Sequence, residues 1–307
     1  MRKILVIVGA ILMFGVLAAA APAADPPVVV PFPAATAGPL FVAAQTVTTT
    51  GAMSSWFKPG ESIVFRAYAM DAKAKSHKVL AATDVKYFYV TIPNQPNVKL
   101  AYKPAAPGAT ARMPWVGTWT VPDTYASGIV NFKVLVKSEA RRVGQFVQMP
   151  VSSAMLNISK TAPVVLGPGP AVTALATGAS SPDIALYVDT VNGTQPVAAP
   201  KRPIGCTQTN VYKRGEQLVL RTWGFDLSTG QTLTTDNIDT VTYSIPGQPT
   251  APLAYGSHGS VGFKVWFWSM AWQVPPTFPL GDVTLHVSYK TDSGKTGNYD
   301  HTVTIIP

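Results

Sequence analysis

Apolar and polar side chains alternate through short segments punctuated by Pro and Gly, the two-residue period of strands with one buried face. Ile63, Phe65 and Ala67 alternate with Val64, Arg66 and Tyr68, and Leu218, Leu220 and Thr222 hold the same places in a second segment. This patterning predicts strands at about 40–48, 62–70, 85–92, 98–103, 116–121, 129–137 and 144–158. It predicts them again at about 184–190, 217–225, 239–245, 252–255, 263–274, 282–290 and 297–306. Beyond the N-terminal segment no stretch keeps an apolar stripe at helical spacing over three turns. Short strands with turn signals between them, seven to a set, predict an all-β chain of two tandem antiparallel sandwiches.

The two sets share landmarks. Trp56–Phe57–Lys58–Pro59–Gly60–Glu61 opens the first and Val211–Tyr212–Lys213–Arg214–Gly215–Glu216 the second, each leading into an alternating strand. Gly60 and Gly215 stand where a turn needs positive φ. Val90–Thr91–Ile92–Pro93 answers Tyr243–Ser244–Ile245–Pro246, a strand stopped by a residue that cannot donate to a ladder. Trp115 and Trp268, Trp119 and Trp272, Val121 and Val274, and Gly144 and Gly297 are each 153 positions apart. So many landmarks at one separation indicate an internal duplication. The expected domains are 39–160 and 182–307, joined by a Pro/Gly/Ala linker over 161–181 and preceded by a Pro-rich leader over 24–38.

An aromatic residue, a Gly-Glu turn, an alternating strand and a later Ile-Pro strand end resemble the Ig-like and fibronectin-III-like modules of exported bacterial proteins. The resemblance spans both sets, and antibody-type paired cysteines are missing. It implies Ig-like sandwiches serving adhesion, display, spacing or ligand binding, a choice the fold alone does not make.

Met1–Arg2–Lys3, the apolar run Ile4 to Ala20 and the small residues Ala21–Pro22–Ala23 form a secretory signal with expected cleavage after Ala23. The alternative is a retained membrane anchor; no later segment is apolar enough to span a membrane. Export places the mature chain in the periplasm, at the cell surface or in the medium. The single cysteine, Cys206, cannot form an internal disulfide and is read as a small structural residue. Loss of Arg2 and Lys3 takes the formal charge from +9 to +7, still basic. Lys73, Lys75, Lys78 and Lys86 gather at one turn and Lys137, Arg141 and Arg142 at another, a candidate patch for an anionic envelope polymer, phospholipid or acidic protein. The alternative is a solvated set of turn cations. Nucleic acid is not expected.

Candidate catalytic chemistry is sparse. His77, His258, His286 and His301 are the only histidines, none spaced for a zinc motif, so no metal or cofactor is expected. No nucleophile elbow occurs, and Glu61 and Glu216 recur in turns, where an acid most often accepts hydrogen bonds. Trp119 and Trp272 are assigned to the core. Phe267, out of phase with Trp266, Trp268 and Trp272, is the leading candidate for an exposed ligand-binding aromatic, with Trp266, Trp56 and Trp223 beside it. The resulting expectation is a noncatalytic exported binding or scaffolding protein of the cell envelope. The alternatives are an accessory protein binding carbohydrate or an apolar ligand, and a structural subunit of an exported enzyme or surface assembly.

Overall fold

The computed structural model describes residues 28–29, 40–72, 79–103, 113–148, 150, 153–170, 183–194, 202–259 and 263–307. The expected signal segment and residues 171–181 of the expected linker lie outside them, as do Lys73, Lys75 and Lys78. Apart from a 3-10 turn at Ala82–Asp84, the regular structure of the described residues is β.

The principal strands are β1 (Leu40–Val47), β2 (Ser62–Asp71), β3 (Val85–Thr91), β4 (Trp115–Thr120), β5 (Lys133–Ser138) and β6 (Val143–Val147) in the first half. In the second half they are β7 (Ile184–Asn192), β8 (Gln217–Asp226), β9 (Ile238–Ser244), β10 (Phe263–Gln273), β11 (Gly281–Thr291) and β12 (Thr296–Ile306). In the first half β1-β2-β4 with Ala101–Tyr102 forms one sheet and β6-β5-β3 with Val98–Lys99 another. In the second, β7-β8-β10 carries Gln231–Leu233 and Ala254–His258, and Val211–Lys213 leads the sheet β12-β11-β9 with Ala251–Pro252. With the first strand beside the second and the last beside the next-to-last, each half follows the Ig-like order of a two-sheet sandwich.

Alternation buries one face of each sheet against the other. Phe65 meets Phe132 at 5.1 Å and Phe88 meets Trp115 at 5.1 Å; across the second sandwich Trp268 stands edge-on to Tyr289 at 6.4 Å. The same contacts recur at corresponding residues. Trp115 donates from Nε1 to Leu80 O at 2.9 Å, and Trp268 to Leu233 O at 3.1 Å. Trp119 lies edge-on to Tyr125 at 77°, Trp272 to Phe278 at 78°. Gly60 and Gly215 both have φ +83°, and Arg142–Asp71 is matched by Lys295–Asp226.

Four strand expectations need correction: 98–103 divides at Leu100 into Val98–Lys99 and Ala101–Tyr102, and 252–255 divides at Leu253 into Ala251–Pro252 and Ala254–His258, the pieces of each joining different sheets. The segments 129–137 and 144–158 are each broken: Gly128–Ile129 is separate from β5, and β6 ends at Val147 before a short strand at Asn157–Ile158. The break follows from Gln148 turning inward, where its Nε2 donates to Val130 O at 2.6 Å and its Oε1 accepts from Leu156 N at 2.5 Å. A buried amide satisfied by both sides of a loop holds the loop out of the ladder. In the second half, β11 and β12 run unbroken for 11 residues each.

The halves pack on each other through their first strands. Every residue of β1 and of β7 is buried, so each strand has one face in its own sandwich and the other against the opposite half. Phe41 meets Phe225 at 5.9 Å and Phe146 meets Tyr187 at 5.8 Å. Gln45 Nε2 donates to Val188 O at 3.2 Å, and the Tyr68 hydroxyl donates to Leu186 O. At the end of the seam Met53 N donates to Asn210 Oδ1 at 2.7 Å and Gln208 N to Ser55 Oγ at 3.1 Å.

Candidate functional site

Where the seam opens, the two corresponding turns line neighbouring depressions that share Pro163–Val165. In both, the glutamate closes the turn it follows: Glu61 Oε2 accepts from Lys58 N, and Glu216 Oε2 from Lys213 N, each at 2.8 Å. Glu216 also takes a two-pronged contact from Arg202, Nε to Oε1 at 3.0 Å and Nη2 to Oε2 at 2.8 Å. The Arg202 guanidinium also lies over the Tyr212 ring at 5.5 Å and donates to Thr209 Oγ1 at 3.1 Å. Donors fixed from several sides make this a rigid wall.

With that wall, Met53, Ser54, Trp56 and the segment Pro163–Leu166 line a cleft of about 310 Å³. Trp56 is half-buried and held by Nε1 donating to Ser153 O at 3.1 Å. Val164 is 77% exposed, a large apolar side chain left in water at the cleft's edge. On the other side of Pro163–Val165 a second depression of about 290 Å³ contains Lys58 and Glu61. A concave apolar surface with a few fixed polar groups is what a binding site for a small group requires.

The four aromatic candidates are not brought together. Phe267 does face away from Trp268, but that side is covered: it is 6% exposed, packed on Trp223 at 5.3 Å and under the Arg221 guanidinium at 5.8 Å. Trp223 is likewise interior, tilted against Tyr187 at 5.4 Å with its Nε1 donating to Trp266 O at 3.0 Å. The expectation of exposed surface at Phe267 and Trp223 is therefore corrected. Strand phase shows which face a residue is on, but not that a long arginine, a second tryptophan and the packed seam close that face. Trp266 is half-buried and stacked on Tyr255 at 5.5 Å, so of the four only Trp56 lines the cleft.

Of the basic candidates, Lys73, Lys75 and Lys78 lie outside the described residues. Arg142 is bound to Asp71 at 2.6 Å, while Arg141 is exposed at a left-handed turn position with φ +63°. Lys137 belongs to the outer face of its sheet, opposite Tyr87. Cys206 is partly buried at φ +59°, and burial raises its thiol above the usual range. Among the described residues no three acid, histidine or cysteine side chains gather as a metal site.

One serine–histidine–aspartate row does occur. Ser244, His286 and Asp300 are cross-strand neighbours, with His286 Nδ1 at 2.5 Å from Asp300 Oδ1 and the histidine side chain 46% exposed. On an open sheet the strand N–H groups run in the sheet plane to neighbouring strands. None is aimed above the row to hold a developing oxyanion, and acyl-transfer catalysis depends more on that stabilisation than on any other single effect.

No family model matches the sequence, and no curated protein matches it. Solved structures similar to the chain include fibronectin(III)-like modules of CbhA from Clostridium thermocellum, 12% identical, covering 86% of this chain and 93% of that one at TM-score 0.20. A second is the Bacteroides ovatus mixed-linkage glucan utilization locus protein SGBP-B in complex with a mixed-linkage heptasaccharide, 11% identical over 82% of this chain, TM-score 0.17. A third is dimeric latent PorU from Porphyromonas gingivalis, 10% identical over 86% of this chain, TM-score 0.25. The chain spans 43% of the second and 24% of the third. At these scores the likenesses carry no functional argument. The Ig-like assignment rests on the strand order given above.

Proposed function

We propose that the chain is a noncatalytic exported binding or scaffolding protein of the cell envelope. In this reading residues 39–160 and 182–307 are two Ig-like domains descended from one duplicated unit, and a signal segment ending at Ala23 is removed on export. The recurring turns, tryptophan contacts and Asp71/Asp226 ion pairs support common descent; the basic start and apolar run of the N-terminus support export.

The observation that carries the binding role is the seam cleft. It combines Trp56, an unshielded Val164 and a braced Arg202–Glu216 wall, and it has no counterpart inside either sandwich alone because both halves contribute to it. An apolar or ring-bearing group of a partner enters it, with Trp56 and Val164 as the contact surfaces.

The test is co-purification of the tagged mature chain from native envelope, wild type against Val164→Asp and Trp56→Ala. Val164 is mostly exposed, so Val164→Asp changes stability little. Both variants are expected to lose the bound material. Full retention by both, with unchanged unfolding midpoints, removes the cleft as the binding site.

A further inference from the structure

The outer faces of the sheets β6-β5-β3 and β12-β11-β9 have the same backbone register but opposite chemistry. In the first, Tyr87 stands across from Lys137, and Lys137 from Val143; the corresponding row in the second is Thr240, Lys290 and Thr296. In the next row Tyr89 has Leu135 on one side and Lys99 on the other, where Thr242 has Ser288 and Pro252. The second sandwich shows that threonine satisfies this scaffold. Tyrosine on the first is therefore not demanded by folding, and it is left wet: Tyr87 is 38% and Val143 45% exposed.

The charges diverge in the same way. In the second half two positions of this face carry acids: Asp239 lies 2.6 Å from Lys290 Nζ, and Asp300 lies 2.5 Å from His286 Nδ1. The residues at those two acid positions in the first half are Lys86 and Val147. Lys86, Lys99, Lys133 and Lys137 thus share a face whose strands contain no carboxylate. Among the described residues none of the four has an ion-pair partner. A neutralised polar face has become a cationic aromatic one on an unchanged frame.

We infer that this face binds an acidic polysaccharide, a polymer of ring sugars bearing carboxylates or comparable anions. Lys86, Tyr87, Lys99, Lys133 and Val143 are exposed along the rows, which suits an extended chain rather than an enclosed small molecule. Tyr87 and Tyr89 lie side by side with ring centres 5.2 Å apart, tilted by 37°, a platform for the C–H faces of successive sugar rings. The lysines around them meet the anions. An anionic bilayer is a poorer fit, because interfacial membrane binding uses a broad apolar face, and this one exposes only Tyr87 and Val143 as large apolar side chains. This surface shares no residue with the seam cleft, so the two readings stand or fall separately.

The test uses the mature chain in native gels cast with polygalacturonate, with dextran as the neutral control. Retardation is expected in polygalacturonate alone, weakening as salt rises. Tyr87→Thr with Tyr89→Thr, and separately Lys86→Asp, install the residues that the second half carries at these positions and so should fold. Each is expected to weaken retention by on the order of tenfold. Val164→Asp, at the seam, should leave it unchanged. Undiminished retention in the tyrosine pair variant, equal retention in dextran, or none in either gel overturns the proposal. Tighter binding to phosphatidylglycerol vesicles or to oligo-dT than to polygalacturonate also overturns it, assigning the face to a membrane or to nucleic acid. Loss of retention in Val164→Asp overturns it in favour of the cleft.

Discussion

Arg221 and Asp189 form an ion pair almost without solvent, at 2% and 0% side-chain exposure, with Nε to Oδ1 at 2.8 Å and Nη2 to Oδ2 at 2.6 Å. Burial opposes the guanidinium charge, but the attraction and hydrogen bonds of Asp189 outweigh it and raise the Arg221 pKa. Gln208 supplies a third donor to the carboxylate at 2.9 Å. Removing one partner strands the other as a buried charge, so Arg221→Met is expected to cost about 3–5 kcal/mol, read from urea midpoints. The double variant Arg221→Met with Asp189→Leu should recover most of that; if it is no better than the single variant, the loss came from packing. His301, two residues from Tyr299 and fully buried, gives a pH signature. Burial is the main cause that lowers its pKa to about 4, against 6.5 for the free side chain, with Asp189 opposing. Since Thr190 Oγ1 donates to Thr209 O, the His301 Nε2–H is the donor to Thr190 at 3.0 Å, a contact the neutral ring makes in its Nε2–H tautomer without a buried charge. The folded state binds this proton less readily than the unfolded one. Stability from this site is therefore complete above pH 6.5 and is lost as pH falls toward 4, by about 3 kcal/mol. His301→Phe should lose less stability than wild type between neutral pH and about pH 4.5, because only the titrations common to both proteins remain. Equal losses in the two proteins would rule out this account.

At the level of elements, local patterning is a good guide wherever a strand has one buried face. It places β2 and β8 within a residue because Ile63/Phe65 and Leu218/Leu220 alternate with polar neighbours, and Gly60 and Gly215 mark the turns before them. The short strands Trp56–Phe57 and Val211–Lys213 are not legible, since two or three residues carry no period. Gln148 reads as an ordinary polar position in a strand; only a loop folded back over it reveals a buried amide with two backbone partners. The aromatic site is legible in part. Trp56 reaches the cleft, but the burial of Phe267 and Trp223 depends on residues far away in sequence, which phase along one strand does not report. The tyrosine and lysine rows of the first outer face are in principle readable, as differences between corresponding positions. Cross-strand register is needed to show that Tyr87, Lys137 and Val143 are neighbours.

For the whole molecule the seam decides how the protein behaves. A pair of sandwiches joined only by a flexible segment would unfold independently, since few contacts would cross between them. Here β1 and β7 have no exposed position, and the residues meeting across the seam, Phe41, Phe225, Phe146 and Tyr187, are aromatic. Separating the halves would return these rings to water and leave the Tyr68 hydroxyl and the Gln45 amide without the β7 carbonyls they bind. Burial of apolar area stabilises by about 25 cal/mol per Å², so unfolding one half removes stabilisation from the other. Calorimetry of residues 24–307 should therefore show one transition whose calorimetric and van't Hoff enthalpies agree. Ala43→Arg places a long charged side chain in β1 at a wholly buried position, in register with Tyr68, and is expected to divide the transition in two while leaving each sandwich's interior intact. Two transitions in the wild-type chain would mean that the seam contributes little. The cleft would then be a gap between loosely tethered domains, because its walls hold their spacing only while β1 and β7 remain packed.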